Sequence, residues 1–355
     1  MAQRACVDGR TLTVLSVSYP FAPVSADPVG GAEQVLAQLD RALAGAGHRS
    51  IVIAPRGSSV AGELRPVSTP AGDIDEAARD GVHREVRERI REALARDRPD
   101  VVHLHGIDFP TYLPPPGPPV LATLHLPLDW YPASALSSLR PRTWLHPVSA
   151  SQARAAPVGA AIGAPIENGV DLAVVAARKR GFALTLGRIC PEKGIDDALD
   201  AARLAGVPLL VAGMAFAYPE HQRYFAQAVL PRLDRARRWI GPVGGPRKKR
   251  LLAQARCVLL PSKAAETSSL VAMEAIAAGT PVIAYRAGAM VDIVEDGRTG
   301  FLVDDVAAMA AAIARVDEID AATCRRAARE RFPLARMTQA YLDRYRAVAA
   351  REHAS

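Results

Sequence analysis

The hydrophobic positions of the chain follow two alternating periods, and both halves of the sequence show the same alternation. In the first half, short apolar runs predict buried strands at 12–18, 50–54, 101–105, 120–125 and 144–149. Between the first two runs, apolar residues three and four positions apart predict a helix, with Val35, Leu36, Leu39 and Leu43 on one face. A longer stripe from Val82 to Leu94, laced with Arg and Glu, predicts a solvated amphipathic helix.

The second half begins a new series of strands, predicted at 183–187, 208–213, 239–241, 257–260 and 281–285. Helices are predicted near 196–205, near 218–237, near 248–255 and after residue 266, and a last helix over 333–351. Strands that alternate with helices predict parallel sheets, whose ligands bind at the carboxyl ends of the strands. We expect an α/β protein with domains at 1–165 and 166–332, followed by a C-terminal helix at 333–355.

Composition narrows the class of protein. The chain has 355 residues, of which 49% are hydrophobic and 23% charged, so we expect a folded soluble protein. A net charge of +7 suits nucleic acid, anionic lipid or an anionic substrate, but 5% aromatic residues with no basic interleaving argue against nucleic acid. No apolar run has the length of a membrane span or of a signal peptide's core, so we expect a cytoplasmic protein.

The four cysteines, Cys6, Cys190, Cys257 and Cys324, are scattered without a C-x-x-C pair. This spacing predicts neither a zinc site nor a disulfide framework.

The segment from Glu266 to Glu274 is the most informative stretch of the chain. Glu266 lies on a loop after a predicted strand, and Glu274 lies inside a helix that Gly279 and Pro281 end. Helical rise would separate the two acids by about 10 Å. That separation suits a ligand with hydroxyls at both ends and phosphate between them, bound at the N–H groups of the helix start, as in a sugar nucleotide. The alternative is a pair of solvated surface acids.

Arg188 and Lys193 follow the first strand of the second half, where they are placed to neutralise a diphosphate. The alternative is an ordinary pair of surface cations. Gly30-Gly31 precedes a helix and would let the backbone approach a phosphate or a sugar, but the complete G-x-G-x-x-G pattern is absent. A plain structural turn is the alternative there.

Three histidines lie at predicted strand ends. His103 and His105 share one face of a strand, but no third ligand at a recognisable spacing supports a metal site, so we predict hydrogen bonding for His103. His125 is the better active-site candidate. Asp73 and Asp75 precede a helix, and we interpret them as caps rather than as a metal-binding D-x-D motif.

These motifs occur in an order that resembles the retaining glycosyltransferases of family 4, which have the GT-B architecture. The resemblance covers nearly the whole chain and is densest after residue 180. It rests on Gly30-Gly31-Ala32-Glu33, Val102-His103-Leu104-His105, Thr123-Leu124-His125, Asn168-Gly169-Val170-Asp171, Gly187-Arg188, Glu192-Lys193-Gly194, Gly241-Pro242-Val243, Glu266, Glu274-Ala275, Gly279-Thr280-Pro281-Val282 and Asp296 to Val303.

The resemblance implies two Rossmann-like parallel-sheet domains that face each other across a cleft, with the C-terminal helix crossing back to the first domain. The first domain would bind the acceptor and the second the donor. Arg188 and Lys193 would bind the diphosphate and its developing charge. Glu266 would hold donor-sugar hydroxyls and Glu274 the ribose.

Further roles follow from the same resemblance. The main chain at Ser268, Ser269 and Leu270 would contact sugar and phosphate, and the loop with Ile240 and Val243 would hold the base. Gly30 and Gly31 would close over the phosphates, and His125 would lie near the reacting carbon. Trp130 and Tyr131 match no family pattern and are candidates for shaping the acceptor pocket, and His105 is a further candidate contact for the acceptor.

The sequence departs from the family pattern after Glu266. The family has a small residue, Phe, Gly and Leu there, whereas this chain has Thr267-Ser268-Ser269-Leu270, and only Leu270 matches. The departure leaves the donor sugar open.

We therefore expect a retaining glycosyltransferase that uses a nucleotide-diphosphate sugar, UDP-linked, without a metal or other cofactor. The acceptor would be a small molecule, a lipid-linked sugar or a glycan, with at most peripheral membrane contact and no nucleic acid. Two alternatives are a regulatory protein that binds a sugar nucleotide without transferring it, and an epimerase of the same architecture. The retained site residues disfavour the first, and the spacing of Glu266 and Glu274 disfavours the second.

Overall fold

Two six-stranded parallel sheets form the frame of the molecule. The computed structural model describes residues 10–25, 28, 30–70, 74–137, 140–173 and 175–350. The first sheet has the strand order β3-β2-β1-β4-β5-β6, and the second has the equivalent order β12-β11-β10-β7-β8-β9. Both are the doubly wound arrangement, in which the crevice for a ligand opens where the strand order reverses. That point lies between β1 and β4 in the first sheet and between β7 and β10 in the second.

The first sheet is built of β1 (Thr13–Val17), β2 (Arg49–Pro55), β3 (Glu63–Val67), β4 (Val101–Leu104), β5 (Val120–Leu124) and β6 (Thr143–Pro147). Its helices are α1 (Gly31–Gly45), α2 (Glu76–Asp97) and the short α3 (Ala150–Arg154). Every residue of β4 and β5 is buried, which explains why these strands are apolar apart from His103 and Thr123.

The second sheet is built of β7 (Ala183–Leu186), β8 (Leu209–Ala212), β9 (Arg237–Trp239), β10 (Cys257–Leu260), β11 (Val282–Tyr285) and β12 (Gly300–Val303). Its helices are α4 (Ile195–Leu204), α5 (Pro219–Tyr224), α6 (Gly245–Gln254), α7 (Leu270–Ala277), α8 (Met290–Ile293), α9 (Val306–Arg315) and α10 (Ala321–Arg331). No helix among the described residues combines the length and the apolar character that crossing a membrane requires.

Helix α11 (Leu334–Ala350) crosses back and packs on the first domain, against α1 and β4. The predicted architecture of two parallel-sheet domains with a returning C-terminal helix is confirmed. The two sheets lie inside the predicted ranges 1–165 and 166–332, and the boundaries themselves stay predictions.

A buried polar network fixes α11 to the first sheet. The Nδ1 atom of His146 lies 3.2 Å from the carbonyl oxygen of Pro147, so Nδ1 carries the proton and Nε2 accepts from the hydroxyl of Thr123 at 2.8 Å. The Thr123 oxygen then accepts from Nε2 of His103 at 2.7 Å, which leaves Nδ1 of His103 to accept from the hydroxyl of Tyr345 at 2.7 Å. The hydrogen bonding predicted for His103 is therefore confirmed.

Two strands were not predicted, and both are edge strands. β3 has the sequence Glu-Leu-Arg-Pro-Val and is mostly half-exposed, so it lacks an apolar run. β12 is buried but has four residues, the first of which is Gly300. An added Cβ at Gly300 would collide with the backbone of Val282 on the neighbouring strand.

The helix predicted near 218–237 is shorter than predicted. α5 ends at Tyr224, a π-helical turn and a 3-10 turn follow to Arg232, and β9 begins at Arg237. Pro231 explains the break, because proline lacks the N–H that a helix interior requires. Asp75 caps α2 by accepting from the N–H of Ala78 at 2.8 Å, as predicted, and Asp73 lies outside the described residues.

Candidate functional site

The candidate site lies at the reversal point of the second sheet, where loops follow β7 and β10. The loop after β7 carries Arg188 and Lys193, and the loop after β10 carries Glu266. The loops are hydrogen-bonded to each other, since the N–H of Lys263 donates to the carbonyl of Glu192 at 2.8 Å. The spacing of the strands in the sheet, not the sequence distance, brings these charges together.

Glu266 is held by its backbone as well as by its side chain. Its carbonyl accepts from the N–H of Ala289 at 2.7 Å, and the chain passes so close to Gly288 that an added Cβ there would collide with the Glu266 backbone. Gly288 also has a φ of +53°, which favours glycine. The loop after β11 thus sets the position of this carboxylate.

The Glu266 carboxylate forms an ion pair with Lys193 and accepts a hydrogen bond from Ser262. Burial would raise the pKa of this carboxyl, but the Lys193 ammonium, the Ser262 hydroxyl and the charge of Arg188 together hold the pKa below its usual range. Glu266 is therefore an anion at neutral pH, positioned to accept hydrogen bonds from hydroxyl groups.

Arg188 lies close enough to carboxylates of both domains to affect them. Its charge lowers the pKa of Glu266 in the second domain and acts against the rise that burial produces in Glu33 of the first domain. The charge of Arg188 therefore lies near acids of both domains. A diphosphate placed between the loops would meet Arg188 and Lys193 together.

Glu274 lies on α7, with only 14% of its side chain exposed. Its Oε1 atom accepts from Nε2 of Gln34 at 2.9 Å and pairs with Nζ of Lys248 at 3.0 Å. Its Oε2 atom is buried and has no hydrogen-bond partner among the described residues. A buried carboxylate oxygen without a partner is costly, and a ligand hydroxyl would satisfy it.

A cavity of about 430 Å³ adjoins Glu274 between the two domains. Helices α1, α6 and α7 line it, and its polar side chains include Gln34, Gln38 and Lys248. The cavity connects the carboxylate on α7 to side chains of the first domain.

The three hydroxyl groups of the segment that departs from the family pattern have different partners. The hydroxyl of Thr267 donates to the carbonyl of His125 at 2.7 Å and so links the two domains. The hydroxyl of Ser269 caps α7 by accepting from the N–H of Ala272 at 3.3 Å. The hydroxyl of Ser268 is buried without a partner among the described residues, next to the predicted donor contacts, and Leu270 is buried at the start of the helix.

His125 lies half-buried just after β5, and its ring contacts the ring of His105. The Nδ1 atom of His105 lies 3.0 Å from Nε2 of His125, and the rings are stacked with centroids 5.3 Å apart. Burial lowers the pKa of His125 to about 3. His125 is therefore neutral at physiological pH and acts through hydrogen bonds rather than through positive charge.

Of the three residues predicted to contact the acceptor, only Trp130 is exposed. His105 is 2% exposed, and Tyr131 is 4% exposed with its hydroxyl accepting from the N–H of Leu126. The geometry gives His105 and Tyr131 a supporting position behind the surface of the cleft. The acceptor contacts stay predictions.

Gly30 is the N-cap of α1, and Gly31 opens the helix next to Leu270 of the other domain, since an added Cβ at Gly31 would lie 3.7 Å from that side chain. The Glu33 side chain folds back against Gly30, in the space a Cβ would need. Burial raises the pKa of Glu33. In this conformation an acid occupies the helix end that was predicted to close over phosphates.

The loop predicted to hold a base follows β9. The N–H of Ile240 donates to the carbonyl of Val211 at 2.9 Å, and Ile240 and Val243 are half-buried against the core. Gly241 has a φ of +73° and its carbonyl accepts from Gly213. The loop is therefore fixed by neighbouring strand ends, while its contact with a base stays a prediction.

The cleft is closed at several points in this conformation. Besides Gln34 with Glu274 and Thr267 with His125, Asp292 accepts from the N–H of Ser151 at 2.8 Å and pairs with Arg154 at 2.8 Å. The sequence prediction missed Gln34, Lys248 and the role of Glu33. The basic run at 247–250 and the polar residues after Gly31 were the available signals.

Two family models match the chain, one on each domain. The model described as Glycosyltransferase Family 4 matches residues 29–158, and the model described as Glycosyl transferases group 1 matches residues 180–318. Together these ranges cover more than half of the chain and include both walls of the site.

Similar proteins agree with these matches. The chain is 37% identical over 182 residues, or 47% of its length, to a glycogen synthase of Mycobacterium tuberculosis, and it spans 43% of that protein. It is 28% identical over 344 residues to a phosphatidyl-myo-inositol mannosyltransferase of Mycolicibacterium smegmatis, covering 84% of both chains. The fold also matches HepE of Anabaena in complex with UDP-glucose, with a TM-score of 0.71, 18% identity and coverage of 95% and 100%.

Proposed function

We propose that this chain, which belongs to the family 4 glycosyltransferases, transfers a sugar from a nucleotide-diphosphate sugar to a hydroxyl group of an acceptor. The observation that carries the proposal is the pairing of Arg188 and Lys193 beside the anionic Glu266, at the reversal point of the second sheet. Cations and a carboxylate at one strand edge suit a ligand that has phosphates and sugar hydroxyls side by side.

Glu274 supports a nucleoside at the other end of the ligand. Its buried Oε2 atom lacks a partner among the described residues, and ribose hydroxyls would supply hydrogen bonds to it. A UDP-linked donor is supported by the solved relative of the same fold that binds UDP-glucose. The donor sugar, the acceptor and the absence of a metal from the reaction belong to the proposal, as do a cytoplasmic location and the absence of nucleic-acid binding.

In the proposed reaction, the bond between the anomeric carbon and the diphosphate oxygen breaks, and its electron pair stays on the diphosphate. Arg188 and Lys193 stabilise the charge that grows there. The acceptor oxygen attacks the anomeric carbon from the face that the diphosphate leaves, and its proton passes to the departing phosphate. The same face for attack and departure retains the configuration, as the family resemblance implies.

The experiment is a steady-state assay that measures release of nucleoside diphosphate from UDP- and GDP-sugars with pooled acceptors. We expect Arg188→Ala and Lys193→Ala each to lower kcat on the order of 10²–10³. Arg188→Lys should recover little, because an ammonium cannot span two phosphate oxygens. The double variant should be less than additive, since both cations act on one charge.

Arg89→Ala is the matched control, because Arg89 is a partly exposed cation on α2 that pairs with Glu92 at 2.9 Å, and removing it should leave kcat unchanged. If the two cations only attract the donor, KM would rise with kcat intact. Near-normal turnover of both single variants at saturating donor would refute the assigned role.

A further inference from the structure

Three side chains of different kinds meet beside the loop that follows β7. Cys190 and Glu192 come from that loop, and His221 comes from α5. One ligand atom of each residue lies within 4.8 Å of the other two. Cys190 is fully buried and His221 is 8% exposed, while Glu192 is half-buried.

The three side chains differ in whether they have hydrogen-bond partners. The Cys190 thiol contacts the carbonyl oxygen of Arg188 at 3.9 Å, and it lies within 4.8 Å of the ligand atom of Glu192. The Nδ1 atom of His221 is buried and has no hydrogen-bond partner among the described residues. A buried ring nitrogen without a partner next to a thiol and a carboxylate is an unused ligand position.

The chemistry of the three atoms selects the ion. Sulfur, nitrogen and oxygen ligands together suit Zn²⁺, whereas Mg²⁺ and Ca²⁺ require oxygen alone. Tetrahedral zinc with bonds of about 2.0–2.3 Å needs ligand atoms separated by about 3.3–3.8 Å. The three atoms lie within 4.8 Å of one another, so they would close by at most about 1.5 Å. A thiolate and a carboxylate balance the charge of the ion, so the occupied site is neutral, and the proton of the Cys190 thiol is released to solvent on binding.

We propose that Cys190, Glu192 and His221 bind one Zn²⁺ ion, with a water molecule as the fourth ligand, and that the ion fixes the loop after β7 to α5. Two of the three ligands lie in sequence between Arg188 and Lys193. The ion therefore sets the position of the loop that carries both cations and takes no part in the proposed transfer. Structural zinc sites couple binding to local order in this way.

The test uses the full chain, freed of metal by a chelator and then titrated with Zn²⁺ in competition with a chromophoric indicator. We expect one ion per chain. Cys190→Ser and His221→Ala should each weaken zinc binding by at least about 100-fold, because loss of an outer partner alone costs 10- to 100-fold. Co²⁺ should give a thiolate-to-metal absorption band in the wild type that Cys190→Ser loses.

Cys324→Ser is the matched control, because Cys324 is a fully buried cysteine on α10 whose thiol contacts the carbonyl of Thr299. It should keep the ion and the cobalt band. The proposal would be overturned if the wild type bound zinc no more tightly than the Cys190→Ser/His221→Ala double variant. Unchanged zinc binding by both single variants would also overturn it. Circular dichroism of the metal-free variants checks folding, and Glu192→Gln provides a further ligand test if Cys190→Ser does not fold.

Discussion

Replacement of Glu274 by alanine tests the nucleoside end of the site. The Oε1 atom of this carboxylate already serves Gln34 and Lys248, so ribose hydroxyls would bind to the buried Oε2 atom, which has no partner among the described residues. Hydrogen bonds to a charged group contribute about 1.5–3 kcal/mol. We therefore expect Glu274→Ala to weaken UDP binding by about 10- to 150-fold.

Isothermal titration calorimetry with UDP and with 2′-deoxy-UDP makes the test specific to the ribose. The wild type should bind 2′-deoxy-UDP more weakly than UDP, because one hydroxyl bonded to the carboxylate is missing. The Glu274→Ala variant should bind the two nucleotides with nearly equal affinity, since the partner of that hydroxyl is gone. Comparing the two nucleotides cancels any loss of affinity that comes from leaving Lys248 without the Glu274 carboxylate, because that loss affects both nucleotides equally.

Two outcomes would refute the reasoning. Unchanged UDP affinity in a folded Glu274→Ala protein would remove Glu274 from the nucleotide site. An equal penalty for 2′-deoxy-UDP in the wild type and in the variant would place the ribose elsewhere. Gln34→Ala is a useful companion, because it removes one of the two partners of Oε1, leaves the carboxylate in place and should not weaken UDP binding.

Three further predictions concern stability. Tyr345→Phe should lower the free energy of unfolding by about 1–3 kcal/mol, because it leaves the buried Nδ1 atom of His103 without a partner. Tyr341→Phe should lower it less, because the Tyr341 hydroxyl lies 3.3 Å from the Thr123 hydroxyl. Equal losses for the two variants in urea unfolding would contradict this ranking of the two hydrogen bonds. The pKa values of four histidines are lowered, chiefly by burial: His103 on β4, His105 just after β4, His125 just after β5 and His146 on β6. The unfolded chain thus binds more protons below about pH 6.5, and the free energy of unfolding measured in urea should fall between about pH 6.5 and pH 5.5, by up to about 1.4 kcal/mol per histidine per pH unit; a free energy of unfolding independent of pH would contradict this. Gly194→Ala should destabilise the protein by more than about 1 kcal/mol in the same assay, since Gly194 has a φ of +59° and an added Cβ would collide with the Pro261 carbonyl, whereas Gly181→Ala, with open space around it, should be neutral.

The sequence predicted the fold well because the buried strands are continuous apolar runs. β3 was not predicted because it lacks an apolar run: an edge strand buries few side chains and can be polar. The candidate site was predicted from residues in the loops after strand ends, and the structure places Arg188 and Glu266 in the loops after β7 and β10. Contacts between distant elements were not predictable: nothing in the spacing pairs Gln34 with Glu274 or Thr267 with the carbonyl of His125.

The cluster of Cys190, Glu192 and His221 is another contact between distant elements that the sequence did not predict. The cysteine pattern predicted no zinc site, because metal motifs in sequence are recognised by short spacings. Cys190 and His221 are brought together by the packing of α5 against the loop after β7, over a sequence separation that no motif describes.

The network that ties α11 to the first sheet also has a consequence for the order of synthesis. The strands that carry His103 and Thr123 are made early, but their partner hydroxyls on Tyr341 and Tyr345 are made near the end of the chain. On the ribosome, the Nδ1 atom of His103 therefore has no tyrosine hydroxyl as its partner until α11 has been made, and by then all six strands of the second sheet exist. A nascent chain stopped after α10 would hold every strand and helix of the second domain, while its first sheet would still lack α11.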